Sequence, residues 1–208
     1  MKVKVLEMEN PLKTGCNTRN LVKMAILAAL GAILMLIEIR LPIFPGILKL
    51  EIGDLPALLG SLAMGPLAGI VIELMKNIIN MLLDFTLTFG IGELSNFIVG
   101  SAFVASASIV YRMSRTKKGL MCGLLAGVFF MTLTACFSNY YIVIPAYMKA
   151  GGFSMEKIVE LFAMANSRIT DLRTIIIYAI IPFNLLKSTV VSIVALLLYN
   201  KVLPVLHR

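Results

Sequence analysis

Long apolar runs separated by short polar or basic segments dominate this chain. A shorter apolar run, 55–64, is separated from the next one by Gly65-Pro66, a pair that ends helices. The runs long enough to cross a bilayer as helices lie at about 20–39, 66–83, 93–111, 119–145 and 175–199. The pattern therefore predicts an all-α polytopic membrane protein with six transmembrane helices.

The six helices are expected to form one domain over residues 20–200, between basic tails at 1–19 and 201–208. The first nineteen residues lack the apolar stretch of a cleavable signal peptide. Lysine and arginine are concentrated in the two tails and in the 112–118 loop. The positive-inside rule places these segments in the cytoplasm, and two cytoplasmic termini require an even number of spans.

Composition supports a membrane protein and excludes several other classes. The chain of 208 residues is 59% hydrophobic and only 14% charged, with a mean hydropathy of +0.93, whereas soluble domains carry about 25% charged residues. The net charge of +8 lies at the membrane edges, so it does not indicate nucleic-acid binding. No P-loop occurs, so any ATP used must be hydrolysed by another subunit.

Metal, disulfide and cofactor chemistry is not expected. The cysteines are Cys16, Cys122 and Cys136, and the only histidine is His207. No CxxC pair is present, so neither a zinc site nor a disulfide framework is indicated.

Two connections between the apolar runs have unusual composition. The 38–54 segment contains prolines and glycines that exclude a continuous helix, yet it is rich in apolar residues, so we interpret it as a lid or pocket wall. Asp54 at its end is expected to cap the next helix. In the 149–173 connection, Ser154 is expected to cap a short amphipathic helix on the membrane face, with Ile158, Leu161, Phe162 and Ala165 on one side.

Charged and amide side chains inside the apolar runs are the candidate functional residues. Lys187 lies three residues after Asn184, so both occupy one helix face. A lysine within the membrane costs about 2.5–3.5 kcal/mol on insertion scales and needs a ligand, a polar cavity, an acidic partner or the interface. Glu73 and Lys76 can pair on one face, either as part of an interhelical network or as ligand contacts.

With the predicted topology, several polar groups gather at the outer end of the helices: Glu93, Asn96, Asn139, Tyr140, Asn184 and Lys187. The 84–92 segment is expected to form a short outer turn nearby. Amides and an ammonium group beside aromatic and aliphatic walls suit a neutral, flat, hydroxyl-bearing solute. An autonomous secondary transporter is the alternative, and an intramembrane enzyme using Lys187 with Ser188 is disfavoured because adjacent helical residues diverge by about 100°.

The first apolar run carries small residues at four-residue spacing. Such spacing lets a second helix approach closely in lipid, where packing drives association. Either a partner protein or another helix of this chain could be that neighbour. The residues are Ala25, Ala28, Ala29 and Ala32.

Several short motifs together resemble one transporter family. They are Leu48-Lys49-x-x-x-Gly53-Asp54-Leu55-Pro56, Gly65-Pro66-Leu67-Ala68-Gly69, Lys76-Asn77, Ser95-Asn96-Phe97, Asn139-Tyr140, Pro145 and Ile181-Pro182-Phe183-Asn184-x-x-Lys187. From about Asn20 to Tyr199 the chain is similar to the substrate-binding S components of energy-coupling-factor (ECF) vitamin transporters, and among them to the riboflavin-specific members.

The resemblance implies a six-helix S component of a prokaryotic cell membrane that binds riboflavin from outside without chemistry. Docked on an EcfT-type coupling subunit above two ATPases, it would topple to deliver the vitamin inward. Asn139, Asn184 and Lys187 would hydrogen-bond the ligand, with Asn96 and Tyr140 beside them. The loop containing Phe44, Leu48 and Lys49 would cover the ligand, and the span 1 alanines would meet the coupling subunit. Glu93 departs from the family pattern, so it is assigned as a ligand contact or as a cap of span 4.

Overall fold

The computed structural model describes residues 18–83 and 90–207. The regular elements of this part of the chain are helices, apart from one small antiparallel hairpin. The elements in chain order are α1 (Thr18–Leu36), β1 (Ile39–Arg40), β2 (Lys49–Leu50), α2 (Asp54–Met64), α3 (Pro66–Leu83), α4 (Ile91–Ser114), α5 (Lys117–Ser138), α6 (Ile144–Ala150), α7 (Met155–Ala163), α8 (Leu172–Ile175) and α9 (Ile181–His207).

Five helical stretches in the described ranges are long and apolar enough to cross a membrane. The predicted second span, α2, has only 11 residues and is almost entirely buried inside the protein. The described residues therefore contain six apolar helical stretches, while six complete crossings stay a prediction. The five long stretches are Thr18–Leu36, Pro66–Leu83, Ile91–Ser114, Lys117–Ala150 and Leu172–Val202.

The buried helix α2 lies at the centre of the bundle, where it packs against α1, α3, α4 and α9. Leu58 and Ala57 are fully buried there. Ser61 also belongs to this core, and its hydroxyl donates to the backbone oxygens of Leu58 (2.8 Å) and Val104 (3.1 Å). Because α2 has polar contacts to neighbours on several sides, it fixes the relative positions of the helices that surround the cavity described below.

Two long helices contain π-helical turns that the sequence did not predict. The first, Asn139–Val143, joins α5 to α6, so the helix continues through Pro145, where we expected it to end. The second, Ile176–Ile180, joins α8 to α9. Helix α9 continues to His207, beyond the predicted end at Tyr199.

The non-helical 38–54 segment forms the hairpin of β1 and β2, with Ile39 opposite Leu50 and Arg40 opposite Lys49. The prediction that Asp54 caps α2 is wrong. Gly53 holds the capping position, and Asp54 is the first residue of the helix. Its carboxylate binds Lys76 of α3 instead, because two buried lysines compete with the helix terminus for it.

The alanine face of α1 is divided between the interior and the surface. Ala28 and Ala32 are fully buried, so the expectation that they meet a partner protein is corrected to internal packing. Gly31 lies between them and approaches α2 so closely that an added Cβ would lie 3.0 Å from the backbone oxygen of Gly53. Ala25 and Ala29 are exposed and stay candidates for a partner surface.

The described part of the long 149–173 connection contains the predicted helix α7. The Ser154 hydroxyl accepts from the backbone N–H of Lys157 (3.3 Å), as expected of an N-cap. Ile158 and Phe162 are buried inside the protein, so the apolar face of α7 covers the bundle rather than lying only against lipid. The predicted basic tail up to residue 17 lies outside the described residues, as does most of the predicted outer turn, at 84–89.

The start of α1 and the end of α9 meet at one end of the molecule. The Lys23 ammonium group donates to the backbone oxygen of Leu206 at 2.5 Å. Nearby along α9, the hydroxyl groups of Tyr199 and Tyr111 of α4 are hydrogen-bonded at 2.6 Å. The loop between α4 and α5 therefore lies at the same end of the bundle as the start of α1 and the end of α9.

Candidate ligand-binding site

A cavity of about 680 Å³ lies at the opposite end of the bundle. This volume is within the range of about 300–1,000 Å³ that holds small organic ligands. Its wall is built from the end of α1, the hairpin, the start of α4, the α5–α6 helix, α7 and α9. Apolar lining residues include Val99, Ile144, Ile158, Phe162, Ile180 and Phe183.

Lys187 is the central charged group of the wall and belongs to what we call the Lys187 cluster: Lys187, Glu51, Asp54 and Asn96. Its Nζ lies 2.5 Å from Glu51 Oε1, 2.9 Å from Asn96 Oδ1 and 3.1 Å from Asp54 Oδ2. The lysine side chain is only 5% exposed. The sequence left a ligand, a polar cavity, an acidic partner or the membrane interface open as the environment of this lysine. The structure shows an acidic partner, and the lysine also lines the cavity.

A second buried ion-pair group lies behind the cluster. Lys76 binds Asp54 and also lies 2.7 Å from Glu73 Oε2, which confirms the predicted pair of Glu73 and Lys76. Both side chains of that pair are fully buried, and neither lines the cavity. Asn77 donates to the backbone oxygen of Glu73 at 2.8 Å. This geometry favours the interhelical network over a ligand contact for Glu73, Lys76 and Asn77.

Two of the three asparagines assigned to ligand binding lie at or near the π-helical turns and line the cavity: Asn139 begins the first turn, and Asn184 follows the end of the second by four residues. Asn139 donates through Nδ2 to the backbone oxygen of Ala135, and Asn184 donates to that of Ile180, both at 2.9 Å. These bonds hold each amide in place against its own helix. Single π turns inside α-helices often occur at functional sites.

The hairpin loop forms part of the cavity wall through Leu48 and Lys49, as the lid interpretation expected. Phe44 is buried beside the cavity rather than in its lining, and its ring packs edge to face on Phe183 at 5.4 Å between centroids. Lys49 Nζ lies 2.6 Å from Glu38 Oε2 across the hairpin. Partial burial acts to raise the pKa of Glu38, but hydrogen bonds from Lys49 and Arg40 outweigh it and lower that pKa.

Besides Phe44, a second predicted ligand residue lies outside the cavity lining, and several lining residues were not predicted. Tyr140 is not among the lining residues and instead packs its ring on Tyr141, 4.8 Å away. The Asn139–Val143 π turn changes the helical phase, and Tyr147 lines the cavity further along. The main omission is Glu51. The sequence signal for Glu51 was a carboxylate in the apolar 38–54 segment, because the lysines within the apolar runs need acidic partners.

Glu93 lines the cavity and is 7% exposed. Gly90, rather than Glu93, holds the N-cap position of α4, so the alternative that Glu93 caps this helix is not supported. Ser188, considered as a nucleophile beside Lys187, donates its hydroxyl to the backbone oxygen of Asn184 at 2.6 Å. The pair therefore has no nucleophile–base contact of the kind that covalent catalysis requires.

Comparison with known proteins agrees with this architecture. A family model described as "ECF transporter, substrate-specific component" matches residues 19–199. The riboflavin transporter RibU of Staphylococcus aureus (strain TCH60) is 34% identical over 190 residues, covering 91% of this chain and 93% of the relative. The riboflavin transporter FmnP of Bacillus subtilis (strain 168) is 30% identical over 187 residues, covering 89% and 93% respectively.

A solved structure of the S component of a bacterial ECF transporter is also similar. It superposes with a TM-score of 0.72 at 31% sequence identity, covering 92% of this chain and 99% of the other. The family match extends over nearly the whole bundle that surrounds the cavity. The chain is therefore a multi-pass membrane protein that belongs to the substrate-specific components of ECF transporters.

Proposed function

We propose that this protein is the riboflavin-binding subunit of an ATP-driven ECF-type uptake transporter in a prokaryotic cell membrane. The observation that carries the proposal is the cavity of about 680 Å³ with its mixed wall, in a chain 34% identical to a named riboflavin transporter. Riboflavin would enter from the outer side, and the hairpin would close over it. The protein would then pass it inward with an EcfT-type coupling subunit and two ATPase subunits.

The chemistry of the wall suits a flavin. The fused rings of riboflavin are flat and largely apolar, and they can lie against Phe183, Ile180 and Val99. The ring edge and the ribityl chain carry carbonyl, imide and hydroxyl groups, which need hydrogen-bond partners when buried. Asn139, Asn184 and the Lys187 cluster supply such partners in the same cavity.

The first prediction tests binding by the protein alone, purified in detergent. We expect saturable quenching of riboflavin fluorescence, and yellow protein if the vitamin co-purifies. Asn184→Ala and Lys187→Ala should each weaken binding by about tenfold or more, since each removes a polar partner worth about 1.5 kcal/mol or more.

Matched controls are available on the same helix. Asn200 and Lys201 are exposed near the other end of α9, so Asn200→Ala and Lys201→Ala should leave riboflavin affinity unchanged. Folded wild-type protein that does not quench riboflavin fluorescence would contradict the proposed function. Equal losses in the α9 controls would show that the Asn184 and Lys187 variants act through general destabilisation.

A further inference from the structure

Every cation among the described lining residues of the cavity has a carboxylate partner. At the rim, Arg40 and Lys49 both bind Glu38, at 2.9 and 2.6 Å. Deeper in the wall, Lys187 lies between Glu51 and Asp54. An anionic ligand group entering the cavity would have to compete with a carboxylate for each of these cations.

The competition is strongest at Lys187, where one ammonium group faces two carboxylates. Asp54 is shared with Lys76, which also pairs with Glu73, so with all five groups ionised the formal charge is −1, from two positive and three negative groups. Both members of the Lys187–Glu51 pair are nearly buried, with side chains 5% and 6% exposed. Solvent screening is therefore weak, and a second negative charge placed here is repelled more than it would be at an open surface.

Glu51 is held in its position by the protein and is not simply a mobile counterion. Its Oε2 accepts the backbone N–H of Gly53, and its Oε1 lies 3.5 Å from Asn96 Nδ2 as well as 2.5 Å from Lys187 Nζ. It directly follows β2, so the hairpin fixes its backbone. An added Cβ at Gly53 would lie 2.6 Å from Glu51 Oε2, which shows how closely the carboxylate is enclosed.

We propose that Glu51 is a specificity-determining residue that neutralises Lys187 and so favours an uncharged ligand over a phosphorylated form of the same ligand. The inference rests on the proposed function, since the uncharged ligand there is riboflavin and the phosphorylated one is its 5′-phosphate. The three N–H groups of Lys187 already face Glu51, Asn96 and Asp54, so a neutral carbonyl or hydroxyl group needs to displace only the longest of these contacts, the one to Asp54 at 3.1 Å. Lys187 is not available as the isolated cation that a phosphate group requires.

The second prediction is measured as a ratio of affinities. Purified wild-type protein and Glu51→Gln are titrated with riboflavin and with riboflavin 5′-phosphate, both followed by flavin fluorescence. In Glu51→Gln the preference for riboflavin over its phosphate should fall by about tenfold or more, because removing one nearby buried charge alters the balance by at least about 1.4 kcal/mol. Glu156→Gln on the exposed side of α7 makes the same change in net charge away from the cavity and should keep the wild-type ratio.

Two further variants, a single Lys187 variant and a charge-balanced double variant, keep the inference testable if Glu51→Gln folds poorly. Lys187→Gln should increase the preference for riboflavin, and Glu51→Gln combined with Lys187→Gln should return the ratio towards the wild-type value. If the wild-type protein binds riboflavin but the ratio of the two flavin affinities is the same in every Glu51 variant, the proposed role of Glu51 is wrong while the proposed function stands. Folded wild-type protein that binds neither flavin would overturn both this inference and the proposed function.

Discussion

At the scale of single residues, burial of charge is the main physical problem this protein solves. Five ionisable side chains with at most 7% exposure lie in contact near the centre of the bundle. Asp54 joins them into one system, because its two oxygens contact Lys76 and Lys187 respectively. Shared partners reduce the cost of burying each group, while removal of one partner leaves the others uncompensated. The five residues are Glu51, Asp54, Glu73, Lys76 and Lys187.

The third prediction concerns Lys76, which is fully buried and lies outside the cavity lining. Lys76→Met should destabilise the protein by about 3–5 kcal/mol, the usual cost of breaking a buried ion pair from one side. The reason is that Asp54 and Glu73 then lose a shared cation. Thermal unfolding of the detergent-solubilised protein, followed by circular dichroism, measures the loss.

Two further variants decide whether charge is the cause. Lys157→Met changes an exposed lysine of α7 and should have little effect on unfolding. Glu73→Gln combined with Lys76→Met removes a carboxylate together with the lysine, so it should recover part of the stability. A Lys76→Met protein as stable as Lys157→Met would rule out an energetic role for the network.

Sequence reasoning found the local pair at this scale but missed the distant one. Glu73 and Lys76 are one helical turn apart, so the helix itself brings them together. Glu51 and Lys187 are separated by 136 positions, and only the packing of the hairpin against α9 makes them neighbours. Asp54 was misassigned because a local rule for helix caps competed with an ion pair to Lys76 that only the folded structure shows.

At the scale of elements, the hairpin is a short part of the cavity wall that is held by a few ion pairs. Its strands have only two residues each, and Glu38 bridges them by binding Arg40 and Lys49. At the base of the hairpin, Glu51 binds Lys187 of α9. The hairpin therefore covers the cavity and is held by two sets of ion pairs, one at its strands and one at its base.

The fourth prediction is that low pH weakens the ion pairs of Glu38 and so makes the hairpin easier to open. Partial burial opposes the shift, but hydrogen bonds from Lys49 and Arg40 hold the pKa of Glu38 below its ordinary value of 4.5. A carboxyl group with a lowered pKa stabilises the fold fully above its unfolded value, and this contribution is lost as the pH falls through the folded one. The rate of riboflavin release should therefore be steady down to about pH 4.5 and rise below it.

Stopped-flow dilution of the flavin complex measures this release rate. Glu38→Gln cannot form the ion pairs, so its release should already be faster at neutral pH and should lack the Glu38-dependent increase in acid. If the release rates of Glu38→Gln and wild type depend on pH in the same way, the ion pairs of Glu38 have no part in riboflavin release.

Helix boundaries were predictable where an apolar run is bounded by residues that interrupt helices, such as glycine and proline. The third span was predicted at 66–83 and is observed as Pro66–Leu83, because Gly65-Pro66 marks its start. The π turns were not predictable, because apolar composition is the same for α- and π-helical turns. Tyr140 directly follows Asn139, about 100° further round the helix, and lies outside the cavity lining, whereas Tyr147 beyond the π turn lies in it.

At the scale of the whole molecule, the basic loop between α4 and α5 and the cavity lie at opposite ends of the bundle. The contact of Lys23 with Leu206 brings the start of α1 and the end of α9 together, and the Tyr111–Tyr199 bond places the basic α4–α5 loop beside them. The cavity is lined by the far end of α1 and the first turns of α4. The positive-inside rule predicts that the basic end lies in the cytoplasm, and in that orientation the cavity would face outward, as uptake requires.

The fifth prediction separates binding from transport. Ala25 and Ala29 are the exposed alanines of α1, and small side chains there permit close contact with a coupling helix. Ala25→Trp with Ala29→Trp should keep riboflavin affinity in detergent but abolish ATP-dependent uptake in proteoliposomes containing the coupling subunit and both ATPases. Leu125→Trp, at an exposed position of α5, should leave both activities intact. Uptake by this protein alone, driven by an ion gradient and unaffected by the alanine variants, would instead identify an autonomous secondary transporter.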